Sequence, residues 1–565
     1  MIILGVCNAN VSGAMLFVNG KVIASVNEER FSRRKNHRIF PKQSIEYCLG
    51  QANLSIADVD YVACGAWGGV DAEYLPRVVE ELLAASSKDP AAAKLINDRT
   101  KVATKSDTFY KNELVDSLLA LGFAKADIKT HDHHMSHAYT AFFPSHFDEA
   151  IVFTLDGRGD LKSATISKAT RKNGLELLDS TSMYNSIGAF YGFITRYLGF
   201  SPDRHEGKVT GLAALGNPDT CFSILQKMIS FKDGKIIANI GENYSPFLGA
   251  KMPKIESQLD EHSKEDVAAA AQKLTEDISL AYLQKFLSET KIRNVCLSGG
   301  VFGNVKLNQR IREMDDVDDI YVFPQMGDGG NGFGGGLIEL YNQGKEFSYP
   351  LEDVFLGPSY NNNEIKEQLA KHSDQLDWQD IKDYGLSQIA KDLAGGTIVG
   401  VFAGRMEFGP RSLGARSIIA SASDANINNT LNDRLHRTEF MPFAPVTLED
   451  YADTYYVGWD ASQISAHFMT VCYECKPRAS SECPAIVHVD NTARPQIINK
   501  ENSIPLYHDI LVAYHKLTGI ATLINTSFNN HEEPIVCSPA DAIDSLLKDN
   551  VDYVIMEDVV VKKIV

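Results

Sequence analysis

The decapeptide GDGGNGFGGG, Gly327–Gly336, follows the apolar run Asp319–Phe323 and has the pattern of a buried strand ending in a glycine-rich turn. Two earlier stretches repeat this pattern, DGRGD at Asp156–Asp160 and SGGVFGN at Ser298–Asn304. Glycine lets a backbone approach a phosphate closely, and a helix N-terminus carries partial positive charge. Three such turns, each with an acid or an amide, predict a duplicated α/β core with a nucleotide cleft between its halves.

Other segments of the first half support an α/β core. Residues 2–7 and 13–18 are apolar runs, and Asn19-Gly20 is a hairpin signal that leads into a third predicted strand, Lys21–Val26. Asp266–Ser288 repeats apolar residues at helical spacing. We therefore expect strands and helices to alternate around the glycine-rich turns.

The stretch HDHHMSH, His131–His137, places His133 and His137 one helical turn apart. Side chains at this spacing share a helix face, so both imidazoles can bind one ion. Two histidines at this spacing also occur on exposed helices that bind nothing. The glycine-rich turns that follow favour the metal-binding interpretation.

Carboxylates in two of the glycine-rich turns could supply the further ligands that a metal site with His133 and His137 would need. Asp328 is the expected third ligand, because two imidazoles and one carboxylate leave coordination positions open for water or a phosphate oxygen. Asp156 and Asp160 are candidates for binding a second metal or for accepting a proton from an attacking hydroxyl. The alternative for Asp156 is that it caps a turn.

Length and charge exclude several classes of partner. At 565 residues the chain is expected to form two or more domains. Its net charge of −18 argues against a nucleic acid or an anionic membrane as partner. The sequence has no run of about 18 apolar residues. Its beginning, MIILGVCNANVSG, lacks a basic leader and is predicted to be a strand, so we expect a cytoplasmic protein.

The nine cysteines are scattered and odd in number, as expected for reduced thiols. One tight group, Cys472, Cys475 and Cys483, would need His467 or His488 as a fourth ligand to hold zinc. Incidental thiols are the preferred interpretation, because a lone CxxC predicts metal poorly.

The character of the chain changes after the polar segment Asn342–Glu352. The remainder has its own strands, notably Thr397–Phe402, and its own arginine-rich loop. We therefore divide the chain into domains 1–350 and 351–565.

Two clusters in the second domain suit anions. The loop GRMEFGPRSLGARS, Gly404–Ser417, holds three arginines among glycines and apolar residues, unlike an exposed helix. Arginine grips phosphate or carboxylate with two parallel hydrogen bonds. The segment Asn525–Asn529 places short amide and hydroxyl side chains after an apolar strand, which suits ribose or phosphate contacts. Together they predict an anion-binding pocket.

These stretches together resemble the NodU/CmcH O-carbamoyltransferase family over nearly the whole chain. The motifs that carry the resemblance, in chain order, are Glu28-Glu29-Arg30-Phe31, HHMSHA, DGRGD, Glu206-Gly207-Lys208 with Gly211-Leu212-Ala213, GGVFGN, the Gly327-Asp328 pair, GRMEFGPRSLGARS, Pro442-Phe443-Ala444-Pro445, His488-Val489-Asp490 with Thr492-Ala493-Arg494, and NTSFN followed by EEPIV. So many ordered motifs make the resemblance specific.

The resemblance implies a duplicated N-terminal domain of the actin/Hsp70/sugar-kinase type over 1–350 and a YrdC-like α/β domain over 351–565. The C-terminal domain is expected to make carbamoyl-adenylate from carbamoyl phosphate and ATP. The N-terminal domain is expected to pass the carbamoyl group to a hydroxyl of a natural product or sugar. Adenylation supplies a good leaving group, and a metal can neutralise charge on the departing phosphate.

The resemblance also assigns roles to residues. It makes His133, His137 and Asp328 the metal ligands, with Fe(II) preferred over another divalent metal, and adds Mg²⁺ with ATP and a homodimer. The residues expected to hold the nucleotide in the N-terminal cleft are Lys208, Gly300, Asn304 and Gly329. Those expected to bind ATP and carbamoyl phosphate are Arg405, Arg411, Arg416, Arg494, Asn525 and Ser527.

The sequence departs from the family at three places. Family members commonly carry a His-Asp pair where this chain has Ala9-Asn10. Asn36 separates the basic run from His37, and a shortened segment leaves His436 or Arg437 in place of a usual lysine. The first change means that a carboxylate of the DGRGD turn or a metal-bound species would have to activate the acceptor.

Two alternatives stay open at this point. A carbohydrate kinase-like phosphotransferase would not need the second domain, and a nucleotide-binding protein with decayed catalysis would not need intact metal ligands. The loops Ala66–Tyr74 and Pro202–Glu206 are expected to line the acceptor pocket if the fold is as implied.

Overall fold

A computed structural model describes residues 1–69, 80, 90–241, 244–246, 251–437 and 440–564. Residues 70–74 of the loop expected to line the acceptor pocket lie outside this described part. Within it, no helix is both long enough and apolar enough to cross a membrane.

The chain divides into two compact units. The first consists of Met1–Ile23 and Arg38–Leu351, and the second of Ala24–His37 and Glu352–Val565. The first domain predicted from the sequence, 1–350, includes Ala24–His37. The structure places this segment in the second unit, where Arg33 donates hydrogen bonds to the carbonyls of Ile535 at 2.7 Å and Pro534 at 2.9 Å.

The bounds of the elements are as follows. The strands are β1 Ile2–Cys7, β2 Gly13–Val18, β3 Lys21–Asn27, β4 Tyr61–Cys64, β5 Ile128–Thr130, β6 Glu149–Gly159, β7 Lys162–Thr170, β8 Gly174–Ser182, β9 Ile229–Lys232, β10 Lys235–Ala238, β11 Asn294–Ser298, β12 Asp319–Val322, β13 Leu376–Asp380, β14 Val399–Phe402, β15 Arg416–Ser421, β16 Ala444–Leu448, β17 Tyr473–Glu474, β18 Thr492–Ala493, β19 Gln496–Ile498, β20 Thr522–Ser527, β21 Tyr553–Met556 and β22 Val559–Lys563. The helices are α1 Glu29–Ser32, α2 Lys42–Gln51, α3 Pro90–Leu121, α4 His133–Phe142, α5 Ile187–Tyr197, α6 Glu206–Ala213, α7 Phe222–Leu225, α8 Pro253–Leu259, α9 Lys264–Thr290, α10 Val305–Arg312, α11 Asn331–Asn342, α12 Asn362–Ala370, α13 Ile381–Tyr384, α14 Leu386–Ala394, α15 Ile427–Arg434, α16 Glu449–Tyr455, α17 Pro477–Glu482, α18 Pro505–Thr518 and α19 Pro539–Leu547.

Two five-stranded sheets with matching strand orders belong to the first half of the chain. Their orders are β3-β2-β1-β4-β5 and β8-β7-β6-β11-β12. In each, the central strand pairs antiparallel on one side and parallel on the other: β1 with β2 and β4, and β6 with β7 and β11. This repetition confirms the predicted duplicated α/β core. The predicted strands at 2–7 and 13–18 are confirmed, and the predicted helix at 266–288 is the middle of α9.

The glycine run after β12 has a packing role that the sequence analysis did not predict. An added Cβ at Gly334 in α11 would lie 2.1 Å from the carbonyl oxygen of Ser136 in α4. An added Cβ at Gly5 in β1 would lie 2.1 Å from the carbonyl oxygen of Gly332. Glycine therefore lets α11 press against both β1 and α4. Because Asp328 begins the short turn before α11, this packing fixes its position relative to α4.

The second unit is built on an eight-stranded mixed sheet of order β13-β22-β21-β14-β15-β20-β16-β19. The α/β class predicted for this half is confirmed. The arginine-rich loop Gly404–Ser417 connects β14 to β15, and the segment Asn525–Asn529 begins in β20, which pairs with β15. The sheet thus brings the two predicted anion-binding segments together.

Candidate functional site

The helix α4 carries the two histidines. Asp132 caps its N-terminus, because its carboxylate accepts a hydrogen bond of 2.9 Å from the backbone N–H of Met135. His133 and His137 are fully buried on one face of this helix. The ring centroids of the two imidazoles are 4.8 Å apart. The predicted helical spacing therefore brings both rings to one place.

Two carboxylates from other elements complete the cluster. Nε2 of His137 lies 3.0 Å from Oδ2 of Asp156 and 3.6 Å from Oδ1 of Asp328. Nε2 of His133 lies 3.4 Å and 3.5 Å from the same two oxygens. The histidine side chains are fully buried, whereas those of Asp156 and Asp328 are 15% and 18% exposed. The four donor atoms lie within 4.8 Å of one another, with the carboxylates on the side that solvent reaches.

Hydrogen bonds on the far side of each ring fix its tautomer. Nδ1 of His133 lies 3.1 Å from the carbonyl oxygen of Ala66, which can only accept, so Nδ1 carries the hydrogen. Nδ1 of His137 lies 3.2 Å from the hydroxyl of Ser298, which donates its own hydrogen to the carbonyl of Met326. Both Nε2 atoms of the neutral rings therefore present lone pairs to the carboxylates.

The donor set fits a divalent metal ion. Lone pairs facing carboxylate oxygens repel one another unless a cation lies between them. Two ligands about 2.1 Å from an ion lie about 3.0 Å apart at a right angle and about 3.4 Å apart at the tetrahedral angle. The measured N···O distances of 3.0 to 3.6 Å span these values. Asp156 joins His133, His137 and Asp328 as a fourth candidate ligand of one ion.

The electrostatics of the cluster favour a cation. Burial opposes protonation of His133, but the carboxylates of Asp328 and Asp156 outweigh burial and raise the pKa of His133 to about 10. Burial likewise opposes ionisation of Asp156, yet its contacts with the imidazoles of His133 and His137 hold the pKa of Asp156 well below its usual value. His134 lies outside the cluster, and burial with the two neighbouring histidines lowers its pKa to about 3. The cluster thus has a negative potential that a metal ion would neutralise.

Asp160, predicted as a second metal ligand or a proton acceptor, lies apart from the donor cluster. Its carboxylate accepts hydrogen bonds from the backbone N–H groups of His133 at 2.9 Å, Gly68 at 3.0 Å and Gly69 at 3.3 Å. It is 2% exposed and does not belong to the donor cluster. The structure therefore does not pair it with Asp156 in a second metal site. It holds the start of α4 and positions His133.

The residues predicted to hold a nucleotide in the first unit fall into two groups. Gly300 and Gly329 border the cluster: an added Cβ at Gly300 would lie 3.2 Å from Oδ1 of Asp156, and Gly329 follows Asp328 directly. Lys208 lies buried in α6. The Asn304 amide caps α10 and exchanges hydrogen bonds with Gln272, so both ends of this amide have protein partners.

The four arginines predicted to bind anions in the second unit also fall into two groups, those bonded to backbone carbonyls and those that are half-buried. Arg416 is fully buried, stacks 3.7 Å from the centre of the Phe402 ring and donates hydrogen bonds to four backbone carbonyls. Arg405 donates to the carbonyls of Leu356 and Gly357. These two guanidiniums hold the loop in shape instead of projecting from it. Arg411 and Arg494 are half-buried.

Three residues outside the predicted site set organise this region: Glu407, Gln496 and Arg437. Glu407 accepts hydrogen bonds from the backbone N–H groups of Leu413, Ala415 and Arg416 through one carboxylate oxygen. The amide of Asn525 donates to Gln496 at 2.7 Å and to the carbonyl of Ser412 at 3.0 Å. The guanidinium of Arg437, one of the two stand-ins, donates to Ser527 at 3.1 Å. The sequence signal for Glu407 was its place directly after Arg405-Met406 in a glycine-rich loop, where a carboxylate can accept hydrogen bonds from backbone N–H groups.

The three clustered cysteines, Cys472, Cys475 and Cys483, are buried free thiols. Within the described part of the chain they do not form a group of metal-ligand atoms with His467 or His488.

Comparison with known sequences decides the family. The family descriptions "Carbamoyltransferase N-terminus" and "Carbamoyltransferase C-terminus" match residues 2–337 and 390–563. The chain belongs to the carbamoyltransferase family. This carbamoyltransferase is 32% identical to an uncharacterised protein of Synechocystis, over 98% of its own length and 95% of that protein. It is 30% identical to the nodulation protein NolNO of Sinorhizobium fredii, over 97% of its own length and 78% of that protein.

One solved structure with a related outline is component A of (R)-2-hydroxyglutaryl-CoA dehydratase of Acidaminococcus fermentans. It is 14% identical, with a TM-score of 0.34, and the match covers 61% of the carbamoyltransferase and 98% of component A. The resemblance and the enzyme class predicted from the motifs are confirmed by the two family matches.

Proposed function

We propose that the protein is an ATP-dependent O-carbamoyltransferase that activates a carbamoyl group in its second unit and transfers it to a hydroxyl group in its first unit. The observation that carries the proposal is the cluster of two tautomer-fixed histidines and two carboxylates, in a chain matched by carbamoyltransferase families in both halves. The acceptor is a small natural product or a sugar, and the reaction takes place in the cytoplasm.

The activation step belongs to the second unit, which we propose is YrdC-like. Hydrolysis of carbamoyl phosphate gives carbamate and phosphate. A carbamate oxygen then attacks the α-phosphorus of ATP, bound with Mg²⁺, forming carbamoyl-adenylate and releasing pyrophosphate. Arg411 and Arg494 are the candidates for contacts to the phosphates, with Asn525 and Ser527 at the strand end. Arg405 and Arg416 act by holding the loop, because their donors face backbone carbonyls.

The transfer step belongs to the first unit. His133, His137, Asp156 and Asp328 would hold a divalent metal, with Fe(II) our preferred ion, which supplies positive charge beside the phosphate of the departing AMP. Gly300 and Gly329 leave room for the nucleotide beside the cluster, and Lys208 would neutralise phosphate charge. The acceptor oxygen attacks the carbamoyl carbon, the bond to AMP breaks, and the phosphate of the departing AMP takes the proton of the acceptor hydroxyl.

The test separates the two steps. Purified full-length protein with ATP, Mg²⁺ and carbamoyl phosphate, but no acceptor, should yield carbamoyl-adenylate by mass spectrometry. AMP and pyrophosphate should form only when carbamoyl phosphate is present. ATP turnover at the same rate with and without carbamoyl phosphate would instead favour the kinase-like alternative.

Histidine variants test the division between units. His137→Ala should lose bound metal, measured by elemental analysis, and still form carbamoyl-adenylate. His146→Ala is the matched control, because His146 is a partly buried histidine of the same unit that contacts Asp319 and lies outside the cluster. Loss of adenylate formation in well-folded His137→Ala alone would show that the two steps do not occupy separate units.

A further inference from the structure

Two hydrogen-bond donors of Arg38 have no acceptor among the described residues. Its guanidinium carbon lies 3.2 Å from the centre of the Tyr110 ring and 5.2 Å from that of Trp67. Its Nε and Nη2 atoms are buried, and no acceptor in the described part of the chain hydrogen-bonds to them. These two nitrogens form the edge of a guanidinium that grips two oxygens of one anion in parallel. Leaving two buried N–H groups without an acceptor is costly, and one anion would satisfy both.

Two neighbouring side chains also have unused polar atoms. Trp67 is 6% exposed, and its indole N–H has no acceptor among the described residues. Its ring stacks on Tyr110 with centroids 5.7 Å apart. The Asn8 amide nitrogen donates to the carbonyl of Tyr110 at 3.1 Å, which fixes the orientation of the amide and leaves its buried oxygen without a described donor. Arg38 and Trp67 therefore contact the Tyr110 ring, and Asn8 contacts the backbone of the same residue.

Nearby cations, by contrast, have partners. Arg158 forms a bidentate pair with Asp107 at 2.7 and 3.0 Å. Lys111 donates to the carbonyl of Gly68 at 2.7 Å. Of these three described cations, Arg38 is the one with buried N–H groups that have no acceptor.

This group of residues borders the metal-ligand cluster. The Trp67 ring centroid is 6.0 Å from that of His133, and the preceding residue, Ala66, supplies the carbonyl that orients His133. Burial lowers the pKa of Arg38, and the charge of Asp328 partly offsets this effect. A molecule held at Arg38 would therefore lie beside the place where the carbamoyl group is transferred.

We propose that Arg38 and the Trp67 indole N–H bind an oxyanion of the acceptor, so that the acceptor is a hydroxyl compound bearing a carboxylate or a phosphate. The amide oxygen of Asn8 accepts a hydrogen bond from a neighbouring hydroxyl of the same molecule. Arg38 and Trp67 would supply three donors to the anion, beside the aromatic stack of Trp67 and Tyr110. This inference rests on the proposed function and names its substrate class.

Three sugars that differ only at C6 test the proposal. D-glucose is neutral there, D-glucuronate has a carboxylate and D-glucose 6-phosphate has a phosphate. Their affinities for the full-length protein are measured by calorimetry and by tryptophan fluorescence. At least one anionic sugar should bind about tenfold or more tightly than glucose, as expected for a charged two-oxygen contact. The tighter of the two anions identifies the group.

Variants locate the contact. Arg38→Gln should abolish the advantage of the anionic sugar, and Trp67→Phe should reduce it while keeping the stack. Arg38→Lys keeps the charge but lacks the fork, so it should lose most of the advantage even if the glutamine variant folds poorly. The matched control is Arg34→Gln, an exposed arginine of the same basic run, which should keep the advantage.

The outcomes separate this inference from the proposed function. Equal binding of all three sugars, or an advantage that survives in Arg38→Gln, overturns the oxyanion site. Equal binding of the three sugars is also the result expected if a carboxylate of the chain itself occupies the Nε and Nη2 edge of Arg38. Failure of the wild-type protein to form carbamoyl-adenylate without acceptor overturns the proposed function, whatever the sugars show.

Discussion

Replacing Asp156 with Asn tests whether one ion or two are bound at the DGRGD turn. Asp156 is closer to both imidazole Nε2 atoms than Asp328 is, at 3.0 and 3.4 Å against 3.6 and 3.5 Å. Asn keeps the size and one oxygen ligand but removes a full negative charge. Opposite unit charges 4 Å apart interact by about 4 kcal/mol at an effective dielectric constant of about 20. Partial exposure reduces this figure, so we expect metal affinity to fall at least 100-fold, about 2.7 kcal/mol.

The assay is metal titration of the full-length protein, with the bound ion counted by elemental analysis. Wild type should hold one ion per chain at this turn, and Asp156→Asn should hold none at the concentration that saturates wild type. Asp160→Asn is the comparison, because Asp160 is a buried carboxylate of the same turn whose oxygens face backbone N–H groups. It should keep the ion and lose thermal stability. The reasoning fails if Asp156→Asn binds metal as wild type does, or if two ions bind and Asp160→Asn removes one.

Further predictions follow from single contacts. Ser298→Ala should lower metal affinity about 10- to 100-fold by releasing Nδ1 of His137, as measured in the same titration. Gly334→Ala should destabilise the protein by about 1–3 kcal/mol or more, because its Cβ would lie 2.1 Å from a backbone oxygen. Gly50→Ala in α2 should leave the stability unchanged, because a Cβ there meets nothing within 4 Å. Thermal unfolding distinguishes the two variants. Arg416→Met should lower the unfolding temperature strongly, since it strands buried carbonyls that Arg416 now satisfies; unchanged stability would show that the guanidinium is free to bind ligand.

Local sequence patterns were sufficient for much of the fold. Strand β1, the hairpin at Asn19 and the helix α9 follow from apolar periodicity and a turn signal that act over a few residues. The helical spacing of His133 and His137 is local in the same sense. Asp328 could be joined to them only by resemblance, because its place depends on α11 packing against α4.

Predictions from the sequence were less successful for residue types that can either bind a ligand or hydrogen-bond to the protein backbone. An arginine in a glycine-rich loop suits a phosphate or a backbone carbonyl equally well, and only the fold shows that Arg416 faces carbonyls. The two carboxylates of DGRGD look alike in sequence. The strand β6 directs Asp156 towards the imidazoles, and the turn that follows directs Asp160 towards the amides of α4. The membership of Ala24–His37 in the second unit depends on contacts with residues about 500 positions away.

Ala9, which departs from the family pattern, and Arg38 meet at one aromatic stack in the first unit. Ala9 is fully buried against Cys7, Ala66 and Trp67, with Tyr110 packed on the same cluster. A buried imidazole at position 9 would need polar partners, whereas the alanine completes an apolar base beneath the aromatic stack. Asn10 is exposed, so a carboxylate at that position would be solvated. Arg38 lies on the stack that Ala9 supports, so the buried alanine and the two donors of Arg38 without acceptors belong to one site.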